Sequence, residues 1–233
     1  LASNASTALY RSVRAPMTAL SQTVRVSPDG DATSRSRVLD AAERIFAERG
    51  FAGATTREIA LAAGVQKRML FYYFSSKDDL YRAVLERIIT ELVGIHEQFR
   101  GDPGPIGLAE VTDGLTVFAA GKLDAVRILL REIMDAGPHL RALADEHLRA
   151  LFTRGAAEVA RNMADGTFRP GDPMQVLLHV GGLTLFYFLN VPLLRLVWDR
   201  DPLAPETLAE RAAAVRDLLM HGLAGAGSRE GVQ

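Results

Sequence analysis

Gln66, Lys67 and Arg68 stand in a row two residues after a glycine, and Phe71, Tyr72 and Tyr73 follow within two helical turns. These residue types at this spacing suit nucleic-acid recognition. Arg or Lys pairs with the O6/N7 edge of guanine and Gln with adenine, and a good bidentate contact discriminates between bases by ~1–3 kcal/mol. Phosphate contacts supply most of the affinity that base edges then refine. Thr56, at a helix start, can bond a phosphate with the helix dipole behind it, and Lys77 is a point charge beyond the aromatic run. Tyr72 and Tyr73 carry hydroxyls for the same backbone, whereas Phe71 suits a groove wall or the core equally. Alone, Lys67 and Arg68 would read as solvated charges on a short helix.

The flanking pattern gives them a scaffold. Ser34 or Ser36 can cap a first helix whose Val38, Ala41, Ala42, Ile45 and Phe46 share one face, with Gly50 as its stop. Thr55 or Thr56 caps a second helix, Glu58 favours its dipole, and Gly64 permits the positive φ of a tight turn. The third helix is expected over about 65–74. Val65, Met69, Leu70 and Tyr73 or Phe74 pack down, leaving Gln66, Lys67, Arg68, Phe71 and Tyr72 outward. A helix–turn–helix of this kind lays its last helix in the major groove while the one before braces it. Ser76 opens a longer strut with Leu80, Val84, Ile88, Leu92, Ile95 and Phe99 on one stripe, closed by the Gly/Pro-rich run 101–107.

At these positions the chain resembles the TetR-type (TetR/AcrR) transcriptional regulators. The likeness rests on Ala41-Ala42…Phe46…Gly50, on Thr56…Ile59-Ala60…Ala63-Gly64-Val65, and on Leu70-Phe71-x-Tyr73-Phe74-x-x-Lys77-x-x-Leu80. Gln66 and Arg68 stand where the family usually has small residues, and Phe71 where it commonly has Tyr, so the operator cannot be borrowed from a relative. The resemblance implies a homodimeric regulator, most often a repressor, released from a pseudo-palindromic double-stranded DNA operator by a small apolar or amphipathic ligand held in the body.

The rest of the chain repeats helical periodicity, at about 108–120, 123–136, 140–163, 174–191, 193–197 and 205–223, with no sustained strand alternation. The fold class is therefore all-α: a head over 34–80, a ligand-binding and dimerisation body over 81–225, an arm over 1–33 expected to be disordered, and a tail over 226–233. Bulky candidates for the cavity wall are Phe118, Leu129, Ile133, Phe152, His179, Leu183, Phe186 and Tyr187; each taken singly suits ordinary core equally well. His179 is a polar group in an apolar helix and must find a partner. Leu208, Ala212, Val215 and Leu219 stripe the last helix as a candidate dimer face, which with the preceding apolar helix would build a four-helix bundle across two chains.

Composition excludes several alternatives. Without cysteine there is no disulfide or thiolate metal site, and none of the five histidines pairs at the i, i+4 spacing of a helical metal site, so no metal or cofactor is expected. No nucleophile elbow, phosphate loop or diiron pattern points to an enzyme. The net charge of −1 hides a basic front, +3 over 34–87, and an acidic back, −5 over 88–233. That split suits a DNA-binding head on a body that avoids DNA. The run 176–198 tempts as a membrane span, but His179, Asn190, Pro192 and Arg195 interrupt it, so a buried or interface helix fits better. With no secretory h-region the expected location is the cytoplasm, and the Asn4-Ala5-Ser6 sequon is chance. The competing reading is a ligand-independent architectural or corepressor-type DNA-binding protein.

Overall fold

The computed structural model describes residues 30–98 and 104–223. The expectations for residues 1–29, Phe99, the first part of the Gly/Pro run and the C-terminal tail lie outside these. Eleven helices follow one another among the described residues: α1 Gly30–Gly53, α2 Thr56–Ala62, α3 Lys67–Tyr73, α4 Lys77–Gln98, α5 Pro105–Gly121, α6 Leu123–Met134, α7 Pro138–Leu143, α8 Arg149–Ala164, α9 Pro173–Leu189, α10 Val191–Val197 and α11 Pro205–Leu223. A π-helical turn, Ala144–Leu148, joins α7 to α8. The continuous helix expected over 140–163 is thus interrupted by one wide turn.

α1 is already under way at Gly30, so neither Ser34 nor Ser36 starts it, and the arm expected over 1–33 gives up its last residues to this helix. Gly50 breaks it, at φ 71 and ψ 173, a left-handed backbone that glycine adopts without a Cβ penalty. α1 to α3 close around Val38, Ala42, Ile45, Phe46, Ile59, Leu70 and Phe74, all buried. The start of α4 adds Leu80 and Val84 to the same cluster, so the boundary drawn at 80 falls inside a helix that belongs to both halves.

The body wraps α5, α8, α9 and α11 around smaller apolar clusters. Here the dimer stripe needs correction. Val215 and Leu219 are 3% and 5% exposed and pack with Val180 of α9 and with Leu108, Val111 and Leu115 of α5, inside the same chain. Leu208 leans on the Tyr187–Phe188 cluster. The stripe is apolar because it is core; the helix turns a different face outward.

The uncovered apolar face lies on α9, the other helix of the expected bundle. Met174, Leu178, Phe186 and Leu189 are exposed at helical spacing, Phe186 by 63%, and Leu218 of α11 is 59% exposed. Leu193, Leu196 and Val197 of α10 are exposed as well. His179 lies on this outward side, so the expectation that it must find a buried partner falls away. Among the described residues no single helix is long and apolar enough to cross a membrane, and α9 and α10 meet at a 60° bend.

Candidate nucleic-acid interface

The turn between α2 and α3 is set by local hydrogen bonds. Thr55 is the N-cap of α2 and forms a capping box: its Oγ1 accepts from the Glu58 N–H at 3.2 Å, while the Glu58 carboxylate accepts from the Thr55 N–H. That leaves Thr56 in the first turn, half-buried. The Thr55 hydroxyl, with Arg49 assisting, holds the Glu58 carboxyl below its ordinary value. At the other end, Gly64 at φ 64 lets the Val65 N–H reach the Ala60 carbonyl at 3.0 Å and its own N–H reach Leu61, a closure that reverses the chain within four residues.

α3 then presents its side chains outward. Leu70 and Phe74 anchor it in the core, while Gln66, Lys67, Arg68, Phe71 and Tyr72 are exposed, Tyr72 by 71%. Met69, expected inside, is exposed too: on so short a helix, Leu70 and Phe74 already supply the inward contacts. The Lys67 ammonium lies 5.6 Å from the Phe71 ring centroid, and Tyr72 meets Tyr73 edge-on at 5.2 Å. The result is an aromatic and cationic ridge with Gln66 at its leading end.

Lys77 has a different position from the rest. Its Nζ donates to the carbonyls of Phe51 at 2.9 Å and Ala54 at 3.2 Å, and sits 4.4 Å from the Phe51 ring centroid. The charge is spent on the chain reversal after α1 rather than projecting beside the ridge. Sequence reading also missed Arg57, exposed on the bracing helix, and Arg37, which lies beside the Gly64 turn and donates to Ser34. Their only sequence signal is positive charge near the motif.

A second candidate site lies in the body. A cavity of about 250 Å³ opens between α4, α5, α6, α8 and α9. Of the expected wall residues it gathers Leu129, Ile133 and Phe152. The others lie elsewhere: Phe118 and Leu183 pack in the apolar clusters, Tyr187 is buried with its hydroxyl donating to the Pro202 carbonyl at 2.7 Å, and His179 and Phe186 face outward. The histidine on the lining is His96, which sequence reading passed over because it sits near the end of the strut among charged residues.

α6 touches both the cavity and α1 of the head. Leu129 and Ile133 line the cavity, while Arg131 donates to the Phe46 carbonyl of α1 at 3.2 Å. Glu132, buried, accepts from the Tyr81 hydroxyl and from the His139 N–H, both at 3.1 Å. Burial, with Glu132 beside it, pushes the Tyr81 phenol above its ordinary range. Arg87 of α4 ties in Asp40 and Glu43 of α1 at 2.6 and 2.5 Å.

Comparison with known proteins agrees with this layout. Residues 38–84 match the bacterial regulatory proteins of the tetR family, and residues 107–219 match the tetracyclin repressor-like C-terminal domain. The HTH-type transcriptional regulator RutR of Escherichia coli (strain K12) is 31% identical over 156 residues, 66% of this chain and 73% of its own. The chain belongs to the TetR family. A second relative, the HTH-type transcriptional repressor NicS of Pseudomonas putida, is 27% identical over 198 residues, 82% of this chain and 92% of its own. Among solved structures, the putative transcriptional regulator SCO4942 from Streptomyces coelicolor aligns with a TM-score of 0.66 at 24% identity, over 82% of this chain and 98% of that one. AibR in complex with isovaleryl coenzyme A and operator DNA aligns at 0.67 and 19%, over 80% and 98%. As a TetR-family protein the chain is a DNA-binding transcription regulator and not an enzyme.

Proposed function

We propose that this TetR-family chain is a homodimeric repressor whose α3 ridge reads a pseudo-palindromic operator and whose body cavity binds the small molecule that releases it. The observation that carries the DNA reading is the exposed run Gln66, Lys67, Arg68 at the start of a helix pinned from behind by Leu70 and Phe74. Gln66, Lys67 and Arg68 contact base edges; Thr56, Tyr72 and Tyr73 contact phosphate, with Phe71 as a groove wall and Arg57 as a further phosphate contact. Lys77 acts from within, by fixing the reversal that holds α3 in place.

The dimer forms through the outer face of α9 with Leu218 of α11, because that apolar stripe is uncovered in the single chain. A two-fold pair of such faces makes a self-complementary bundle, and it presents two α3 ridges to successive major grooves ~34–36 Å apart. Ligand release runs through α6, whose opposite sides touch the cavity and α1. A ligand favouring one α6 position shifts the head only by its differential affinity for the two states. AibR, crystallised with both an acyl coenzyme A and operator DNA, is a fold relative in which both kinds of partner are bound.

The test is binding of the purified protein to its own upstream DNA at several salt concentrations, beside Arg68→Ala. The expected result is tight, pseudo-palindromic binding and a variant that loses ~1–3 kcal/mol and its preference at one position of each half-site. Weak, sequence-blind binding with the same steep salt dependence in both proteins would overturn the operator reading.

A further inference from the structure

The cavity lining is chemically one-sided. Leu92, Ile95, Val111, Leu115, Phe152 and Leu177 represent a wall that is aliphatic and aromatic almost throughout, and no lysine or arginine contributes to it among the described residues. The polar lining residues are His96, Glu158 and Asn162. The Asn162 Nδ2 donates to the Glu158 carbonyl at 3.0 Å. Of the lining residues, His96 alone has a fully buried side-chain nitrogen or oxygen without a hydrogen-bond partner, its Nε2. Buried polar atoms are nearly always paired, and the residue that holds this unpartnered one belongs to the cavity lining.

We infer that this cavity takes a small, neutral, mostly hydrocarbon molecule carrying one hydroxyl or carbonyl group, which His96 Nε2 engages. Size sets the first limit. A cavity of about 250 Å³ suits a small molecule rather than a large cofactor-sized one. Charge sets the second. A carboxylate or phosphate head would be desolvated against a wall to which the described residues bring no lysine or arginine and which already carries Glu158. A hydroxyl serves either tautomer of a neutral imidazole, donating to a bare nitrogen or accepting from a protonated one, and a carbonyl serves the second. This inference rests on the reading of the cavity as the ligand site and narrows what enters it.

The experiment measures binding of n-octanol, methyl hexyl ketone, n-octane and octanoate to the full chain by calorimetry, beside His96→Phe and Gly181→Leu. Gly181 lies on the lining, and a Cβ built there meets nothing within 4 Å, so leucine there fills the cavity without a clash at its first carbon. Expected are octanoate binding at least about tenfold more weakly than n-octanol, and His96→Phe weakening n-octanol and the ketone about tenfold while n-octane changes less than about threefold. Gly181→Leu should weaken all the neutral probes together. Octanoate matching n-octanol, or octanol and octane shifting equally in His96→Phe, would overturn the ligand class. If His96→Phe does not fold, the octanoate comparison and Gly181→Leu still decide. Operator affinity with n-octanol bound is measured separately: His96-dependent binding without any change in operator affinity upholds the ligand class and removes the inducer role.

Discussion

At the scale of single residues, two cations near the motif separate by what their charge meets. Arg68 is exposed on the ridge, whereas the Lys77 ammonium is shared between two carbonyls and an aromatic face. Sequence spacing made them look alike. The distinguishing fact, that α1 ends in unsatisfied carbonyls at Phe51 and Ala54, appears only when the chain folds back by more than 20 residues. Lys77→Met should therefore lower the melting temperature, by a loss of about 1 kcal/mol for orphaned, partly buried acceptors, and leave the salt slope of DNA binding per folded molecule nearly unchanged. A fall of about one unit in that slope, with stability intact, would place Lys77 on phosphate instead.

At the scale of elements, the capping box and the junction turn are the sensitive points. Thr55→Ala removes the cap of α2 and should cost ~1 kcal/mol, read by urea unfolding. The Glu58 carboxyl is lowered in the folded chain, chiefly by the Thr55 hydroxyl. Its contribution is complete above the unfolded value and is lost as pH falls through the folded one. The difference in midpoint between wild type and Thr55→Ala should therefore begin to shrink on acidification below pH ~4.5 and go on shrinking until the lowered, capped carboxyl is itself protonated. A difference that grows in acid would refute this account. Behind α6, Gly137 leaves the space that the buried Glu132 carboxylate fills: a Cβ there would sit 2.2 Å from Glu132 Oε1. Gly137→Ala should push that carboxylate off Tyr81 and His139 and destabilise by ~1–3 kcal/mol. An unchanged unfolding curve would show that Glu132 has room to move. The helix order and the turn at Gly64 were readable because periodicity and glycine chemistry are local; the bond of Glu132 to Tyr81 links residues 51 apart and leaves no local trace.

At the scale of the whole molecule, the fold was legible and the allocation of apolar faces was not. An apolar stripe says that a surface is dry but not which neighbour dries it. Val215 and Leu219 face α5 and α9 of their own chain, while Phe186, assigned to the cavity wall on bulk alone, joins Leu178 on the uncovered face. The same ambiguity put His179 rather than His96 in the cavity. Only packing several helices at once resolves it, since α9 is apolar on both sides. Phe186→Glu should give a monomer by sedimentation and weaken operator binding at least about tenfold, because two linked heads bind with a much higher effective concentration than one. A variant that stays dimeric would move the interface off α9.

The π-helical turn at 144–148 has a consequence for how such a cavity can change. It holds one residue more than an α-helical turn over the same span, and the helix beyond it supplies Leu151, Phe152 and Gly155 to the lining. Each residue of an α-helix advances the side chains by ~100°. Absorbing or deleting that single extra residue would swing these and the other lining positions of α8 to new bearings while α3 and its ridge kept their sequence. A one-codon event would thus reshape the cavity and leave the DNA-facing ridge as it was.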